Sequence, residues 1–117
     1  MKTEFTIFHN PRCTKSRETL KLLREKGVEP VVVEYLKNIP TKKKLEMILM
    51  KLHIKPVDLV RKTEALYKEK YKKLTMSDEE WIQVMLENPV LIERPIVIRG
   101  NKAIIGRPPE QVLTLIS

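Results

Sequence analysis

The chain has 117 residues, of which 42% are apolar and 32% charged, and its formal net charge at pH 7 is +8. This length suits one domain with a real hydrophobic core and is too short for two domains. The sequence contains no run of roughly 18 apolar residues that could span a membrane, and its first residues lack the apolar centre of a signal peptide. We therefore expect a cytoplasmic, single-domain protein over residues 1–117 with no membrane partner.

The first third of the chain is predicted to form a strand, a helix and a second strand. The apolar stretch from Thr3 to Phe8 predicts the first strand. A helix is predicted from Thr14 to Lys26, with Gly27 as its stop. The β-branched run Val31–Val33 predicts the second strand, and this spacing is typical of a parallel βαβ unit. The residues of the helix that we expect to face the core are Leu20, Leu22 and Leu23.

The middle of the chain, about residues 41–88, is predicted to be a helical insertion. Ser77 and Glu80 have the spacing of a capping box, in which each side chain bonds the backbone N–H of the other residue. Proline at the first position of a helix is well tolerated. The predicted elements are a helix over 42–52 with Thr41 as N-cap, a short helix from Pro56, an irregular or helical surface segment over 62–74, and a helix from Ser77 to Asn88.

The last quarter is predicted to form a β-hairpin and a helix. Two apolar runs, Ile96–Ile98 and Ala103–Ile105, flank a turn that contains Gly100 and Asn101. The predicted buried side of the final helix consists of Val112, Leu113 and Ile116. The fold class is therefore α/β and thioredoxin-like: a mixed four-stranded sheet flanked by helices, with the helical insertion between the βαβ and ββα halves.

Cys13, the only cysteine, lies where the first strand leads into the first helix. The first backbone N–H groups of a helix are unpaired and carry partial positive charge, which stabilises a thiolate. Arg12, Lys15 and Arg17 add formal positive charge nearby, and cationic neighbours lower the pKa of a thiol. The sequence therefore predicts Cys13 as a nucleophile.

A single cysteine also excludes some chemistry. A redox pair Cys-x-x-Cys would have its second cysteine at position 16, but this residue is Ser16. Serine can donate a hydrogen bond to a thiolate but cannot resolve a disulfide. Any disulfide cycle then needs an outside thiol. A phosphatase-type loop would require an arginine six positions after the cysteine, and that position is Thr19.

Three arginines are placed on predicted connections, where site residues are common. Arg94 precedes Pro95 at the start of a strand, Arg107 lies between Gly106 and Pro108, and Arg61 follows an apolar helix. If these guanidinium groups met at the thiolate, they would bind a tetrahedral oxyanion through forked hydrogen bonds. His9, Ser16 and Arg12 are auxiliary candidates, and we expect no metal site.

Several separated motifs in this chain resemble the glutathione- and glutaredoxin-linked arsenate reductases. The resemblance runs from about residue 5 to residue 116. The motifs that carry it are His9 to Arg17 (HNPRCTKSR), Leu59-Val60-Arg61 with Tyr67-Lys68, Asn88-Pro89, Glu93 to Val97 (ERPIV) and Gly106 to Glu110 (GRPPE). In that family the fold is thioredoxin-like, and in thioredoxin-like proteins the X-Pro bond that corresponds to Arg94–Pro95 is typically cis.

The resemblance implies an activity and roles for the site residues. Cys13 would attack arsenate, while Arg61, Arg94 and Arg107 would hold the oxyanion and lower the pKa of the thiol. Glutathione would then reduce the arsenic, and glutaredoxin would clear the mixed disulfide between Cys13 and glutathione. No cofactor would be bound, and glutathione would act as a co-substrate.

The dense lysines in the middle of the chain exceed what an oxyanion pocket needs, and two alternatives to an arsenate reductase stay open for this fold. Residues 37–73 contain eleven lysines and one arginine against four acidic residues, a local net charge of +8 equal to that of the whole chain. Such a segment attracts nucleic acid or an acidic partner protein, but no aromatic-interleaved binding motif accompanies the lysines. We therefore interpret it as a solvated helical surface and do not expect nucleic-acid binding. The alternatives are a regulatory module of the Spx type, which binds RNA polymerase, and another glutathione-linked thiol reductase.

Overall fold

The computed structural model describes residues 4–116. The chain divides into two compact units, one formed by the residues up to Asn38 together with those from Arg94 onward, and the other by Ile39–Glu93. Within the described residues, no helix has the length and apolar character needed to cross a membrane.

The first unit is built on a mixed four-stranded sheet. Its strands are β1 (Phe5–Phe8), β2 (Val31–Val33), β3 (Ile96–Arg99) and β4 (Lys102–Ile105), and their order is β2-β1-β3-β4. β1 pairs with β2 in parallel, whereas β3 is antiparallel to both β1 and β4. The βαβ unit, the hairpin and the fold class are therefore confirmed. Thr3, the predicted start of β1, lies outside the described residues.

Helix α1 (Thr14–Glu25) ends as predicted, because Gly27 has a φ of +81° that few other residues tolerate. Its buried side contains two polar residues that the prediction did not name. Ser16, Thr19 and Leu23, spaced i, i+3 and i+7, form the inward stripe. Leu20 and Leu22 flank this stripe, half-buried, and pack against the core that contains Leu23, so the predicted core-facing leucines are confirmed.

The core of the first unit joins α1 to one face of the sheet and to the C-terminal segment. It contains Phe5, Ile7, Leu23, Val97, Val112 and Leu115. The C-terminal segment is a 3₁₀ turn, Pro109–Val112, followed by α5 (Leu113–Ile116). Because a 3₁₀ turn has three residues per turn, Val112 and Leu115 share the inward side, while Leu113 is 37% exposed and Ile116 is half-buried. The predicted buried side was therefore wrong at Leu113.

The second unit is helical, with α2 (Lys42–Leu52), α3 (Pro56–Leu59) and α4 (Asp78–Glu87). Thr41 caps α2 by accepting a 3.1 Å hydrogen bond from the Lys44 N–H, and Ser77 and Glu80 form the predicted capping box. The surface segment contains a π-helical turn, Tyr67–Tyr71, whose tyrosines at both ends pack against the buried Trp81 ring. The unit thus has its own aromatic and aliphatic core.

A candidate active site around Cys13

Cys13 is the N-cap residue of α1 and is half-buried. Its carbonyl accepts a 3.0 Å hydrogen bond from the Arg17 N–H, and its own N–H donates to the carbonyl of Asn10 at 3.0 Å. The side-chain oxygen of Asn10 accepts from the Arg12 N–H, also at 3.0 Å. These bonds hold the loop in a tight turn that presents the sulfur at the start of the helix.

The surroundings of Cys13 favour a thiolate. Burial alone raises the pKa of the Cys13 thiol, but hydrogen bonds from the Ser16 backbone N–H and the Arg94 side chain, the charge of Arg107 and the Lys15 backbone N–H outweigh it. The pKa of Cys13 therefore lies below its ordinary value. This is the electrostatic condition for a nucleophilic cysteine.

Two of the predicted arginines meet at the sulfur. The Nη2 group of Arg107 lies 3.6 Å from the Cys13 Sγ atom, and its Nε group donates a 2.9 Å hydrogen bond to the backbone carbonyl of Arg94. Arg94 itself is only 7% exposed. Both arginines precede a cis proline, at Arg94–Pro95 and at Arg107–Pro108; the first agrees with the isomer implied by the family resemblance.

Gly106 allows these two loops to approach α1 closely. A Cβ atom at position 106 would lie 2.7 Å from the Thr19 Oγ1 atom and 2.8 Å from the Pro95 Cγ atom. The Gly106 N–H donates to the Pro95 carbonyl at 2.9 Å. The sequence prediction did not include this role of Gly106 and Thr19, although a glycine directly before Arg107 is consistent with a close approach of the backbone to another element.

His9 and Ser16 form a buried polar pair beneath the loop. The His9 Nδ1 and Ser16 Oγ atoms are 2.6 Å apart, and the Asn10 N–H donates to the same Oγ atom at 3.0 Å. Burial, with smaller effects of Arg24 and Arg17, lowers the pKa of His9 despite the opposing charge of Glu34. The imidazole is therefore neutral at pH 7. The expected hydrogen bond from Ser16 to Cys13 comes from the serine N–H, since its hydroxyl bonds His9 and Asn10.

The cationic neighbours in sequence contribute less than predicted. Arg17 donates to the Pro11 carbonyl at 2.9 Å and to the Thr14 Oγ1 atom at 3.3 Å, and so braces the loop. The Arg12 side chain is exposed. Of the three neighbours only Lys15 acts on the thiol, through its backbone N–H. The formal positive charge at Cys13 comes instead from Arg94 and Arg107, which are distant in sequence.

Arg61 lies in the second unit. Its Nε and Nη1 groups form ion pairs with Glu64 at 3.6 Å and with Glu93 at 3.5 Å, and its side chain is 20% exposed. Its backbone N–H donates to the Leu91 carbonyl at 2.7 Å. The predicted role of Arg61 as an oxyanion ligand stays a prediction. Within residues 4–116 no cluster of three or more His, Cys, Asp or Glu side chains is placed to hold a metal ion.

Comparison with known proteins agrees with this geometry. The chain matches the ArsC family over residues 8–115. It is 46% identical to the arsenate reductase of Haemophilus influenzae, over 94% of this chain and 97% of the relative. It is 49% identical to the uncharacterized protein YfgD of Escherichia coli, over 99% of each chain.

A solved structure supports the same assignment. The arsenate reductase from Vibrio cholerae superposes with a TM-score of 0.91 at 42% identity and covers 97% of this chain and 98% of its own. The shared fold therefore extends over nearly the full length of both proteins. The chain belongs to the ArsC family.

Proposed function

We propose that this protein is an arsenate reductase that uses Cys13 as its nucleophile and external thiols as its electron source. The observation that carries the proposal is the contact of the Arg107 guanidinium with the Cys13 sulfur at 3.6 Å. A thiol with a lowered pKa beside guanidinium groups suits attack on a tetrahedral oxyanion. Relatives that carry the name arsenate reductase support the choice of arsenate as that oxyanion.

The first step joins the sulfur to arsenic. The Cys13 thiolate attacks the arsenic atom of arsenate, a sulfur–arsenic bond forms, and one arsenate oxygen takes up a proton and leaves as water. The arsenic stays pentavalent. The Arg94 and Arg107 guanidinium groups hold the charge of the oxygen atoms through forked hydrogen bonds.

The second step transfers two electrons. The thiolate of glutathione attacks the Cys13 sulfur, a disulfide bond forms, and the electron pair of the sulfur–arsenic bond remains on arsenic, which becomes trivalent and leaves as arsenite. A glutaredoxin thiolate then attacks the glutathione sulfur of the mixed disulfide and releases the Cys13 thiolate. Because Cys13 is the only cysteine of the chain, both electrons come from outside thiols. The cycle also requires a thiol-reducing compartment such as the cytoplasm.

Arg61 is proposed as a third oxyanion ligand. It is not among the groups that set the pKa of Cys13, so its contribution can be separated from theirs. We expect Arg61→Ala to raise the KM for arsenate while the alkylation rate of Cys13 stays unchanged. Lys68→Ala, at an exposed position of the same unit, is the control that should leave both quantities unchanged. An unaltered KM in Arg61→Ala would remove Arg61 from the site.

The activity is tested by the consumption of NADPH in a mixture of the protein, arsenate, glutathione, glutaredoxin and glutathione reductase. The expected rate depends on arsenate and is abolished in Cys13→Ser. Circular dichroism of the variant confirms that it is folded. Retained turnover in Cys13→Ser, or the absence of an arsenate-dependent rate in a folded protein whose thiol reacts with iodoacetamide, would refute the proposal.

A further inference from the structure

A groove of about 560 Å³ lies in the first unit along α1. This volume is in the range of small-molecule sites. The loop before Cys13 and one face of the helix line the groove together. The lining residues are His9, Pro11, Arg17, Leu20, Lys21, Arg24 and Glu25.

The groove continues the helix face that begins at Cys13. The Arg17 N–H bonds the Cys13 carbonyl with helical spacing, and Lys21 and Arg24 follow Arg17 at i+4 and i+7, on the same side of α1. With a rise of about 1.5 Å per residue, Arg17 and Lys21 lie roughly 6 and 12 Å along the axis from Cys13. Helical side chains lean toward the N-terminus, so Lys21 leans toward the Cys13 end of the helix. The Arg17 guanidinium lies at that end, where it bonds the Pro11 carbonyl and the Thr14 hydroxyl.

The charge of the groove is suited to a small anion. Three cations, Arg17, Lys21 and Arg24, and one carboxylate, Glu25, line it. Arg24 is paired with Glu29 at 3.1 Å, but within residues 4–116 neither Arg17 nor Lys21 has a carboxylate at ion-pair distance. A second groove of about 280 Å³ borders the same loop and has only two cations, Arg12 and Lys37, of which Lys37 is paired with the lining residue Glu34 at 3.6 Å. The α1 groove has twice the volume and one more cation, and it is therefore the better anion site.

We propose that the α1 groove binds one carboxylate of glutathione and so orients its sulfur toward Cys13. This inference rests on the proposed function, in which glutathione is the attacking thiol. Glutathione is a tripeptide with its thiol on the middle residue and a carboxylate at each end, so its two carboxylates extend in opposite directions from the sulfur. Each residue spans about 3.5 Å when extended, so a sulfur at Cys13 places the carboxylate that lies along α1 within reach of Arg17 and Lys21. These two residues would determine the preference for glutathione over neutral thiols.

The test uses thiol–disulfide exchange, which requires no arsenate. The Cys13 thiolate attacks glutathione disulfide, a mixed disulfide forms on Cys13, and one glutathione thiolate leaves. The rate is measured by mass spectrometry and divided by the rate with bis(2-hydroxyethyl) disulfide, which is neutral. We expect this ratio to fall by about fivefold to tenfold in Lys21→Glu, the size of one or two exposed ion pairs.

Lys26→Glu is the matched control, because it changes the net charge by the same amount as Lys21→Glu. Lys26 is exposed at the end of the same helix and does not line the groove. Its ratio should change less than twofold. Lys21→Gln, which introduces no negative charge into the helix, should show a smaller loss in the same direction. Equal ratios in Lys21→Glu and Lys26→Glu would overturn the assignment of the groove.

The outcomes separate this inference from the proposed function. A preference for glutathione disulfide that depends on Lys21 supports the groove even if arsenate is not reduced. Conversely, if the protein reduces arsenate and Lys21→Glu leaves the KM for glutathione unchanged, the groove is refuted and the reductase assignment stands.

Discussion

Replacement of Arg107 by alanine removes a guanidinium group that contacts the Cys13 sulfur. Two unit charges at the observed 3.6 Å attract each other by about 1 kcal/mol in bulk water and by about 4 to 5 kcal/mol at the effective dielectric of a protein surface. The site is half-buried, so we take a value near the lower end, about 1.5 kcal/mol. This energy corresponds to about a tenfold change in the acid dissociation constant of the Cys13 thiol.

The assay is the rate of alkylation of Cys13 by iodoacetamide as a function of pH. Removal of the cation raises the pKa of Cys13, so the midpoint of the profile moves to higher pH. The thiolate of the variant is more nucleophilic, so the rate at pH values below the midpoint falls by about threefold to fourfold rather than tenfold. Arg12→Ala removes an exposed arginine next to Cys13 in sequence and should leave the midpoint in place. Equal midpoints in Arg107→Ala and the wild type would refute the electrostatic argument.

Three further changes test the packing around the site. Ser16→Ala removes the acceptor of the buried Asn10 N–H and should lower the free energy of unfolding in urea by about 1 to 3 kcal/mol; an unchanged value would mean that water replaces the hydroxyl. Gly106→Ala forces a Cβ atom to within 2.7 Å of the Thr19 hydroxyl and should cost about 1 to 3 kcal/mol and slow the alkylation of Cys13, whereas a neutral result would show that the loop can shift. If the chain is one domain, the fluorescence of Trp81, which lies in the second unit, and the far-ultraviolet circular dichroism of the whole chain should follow one urea transition; two separate midpoints would contradict this.

Much of the fold could be predicted because its determinants are local. β-branched runs, a capping box at Ser77 and Glu80, and a glycine at the end of α1 each act within a few residues. The failures lie where packing between distant elements decides which residues of a helix are buried. Ser16 and Thr19 are polar, yet they are fully buried in α1, where they contact the loops of the site. Leu113 is apolar, yet it is 37% exposed.

The sequence alone identified Cys13 as the candidate nucleophile, because a single cysteine at the start of a helix is a local feature. It also singled out Arg94 and Arg107 by their places on connections. Only the tertiary structure decided which cations act on the thiol: the sheet brings Arg94 and Arg107 to the sulfur across more than 80 positions of chain, while Arg17, four positions away, turns to the loop backbone. The physical reason is that electrostatic interaction depends on distance in space and on screening, and neither follows from proximity in sequence.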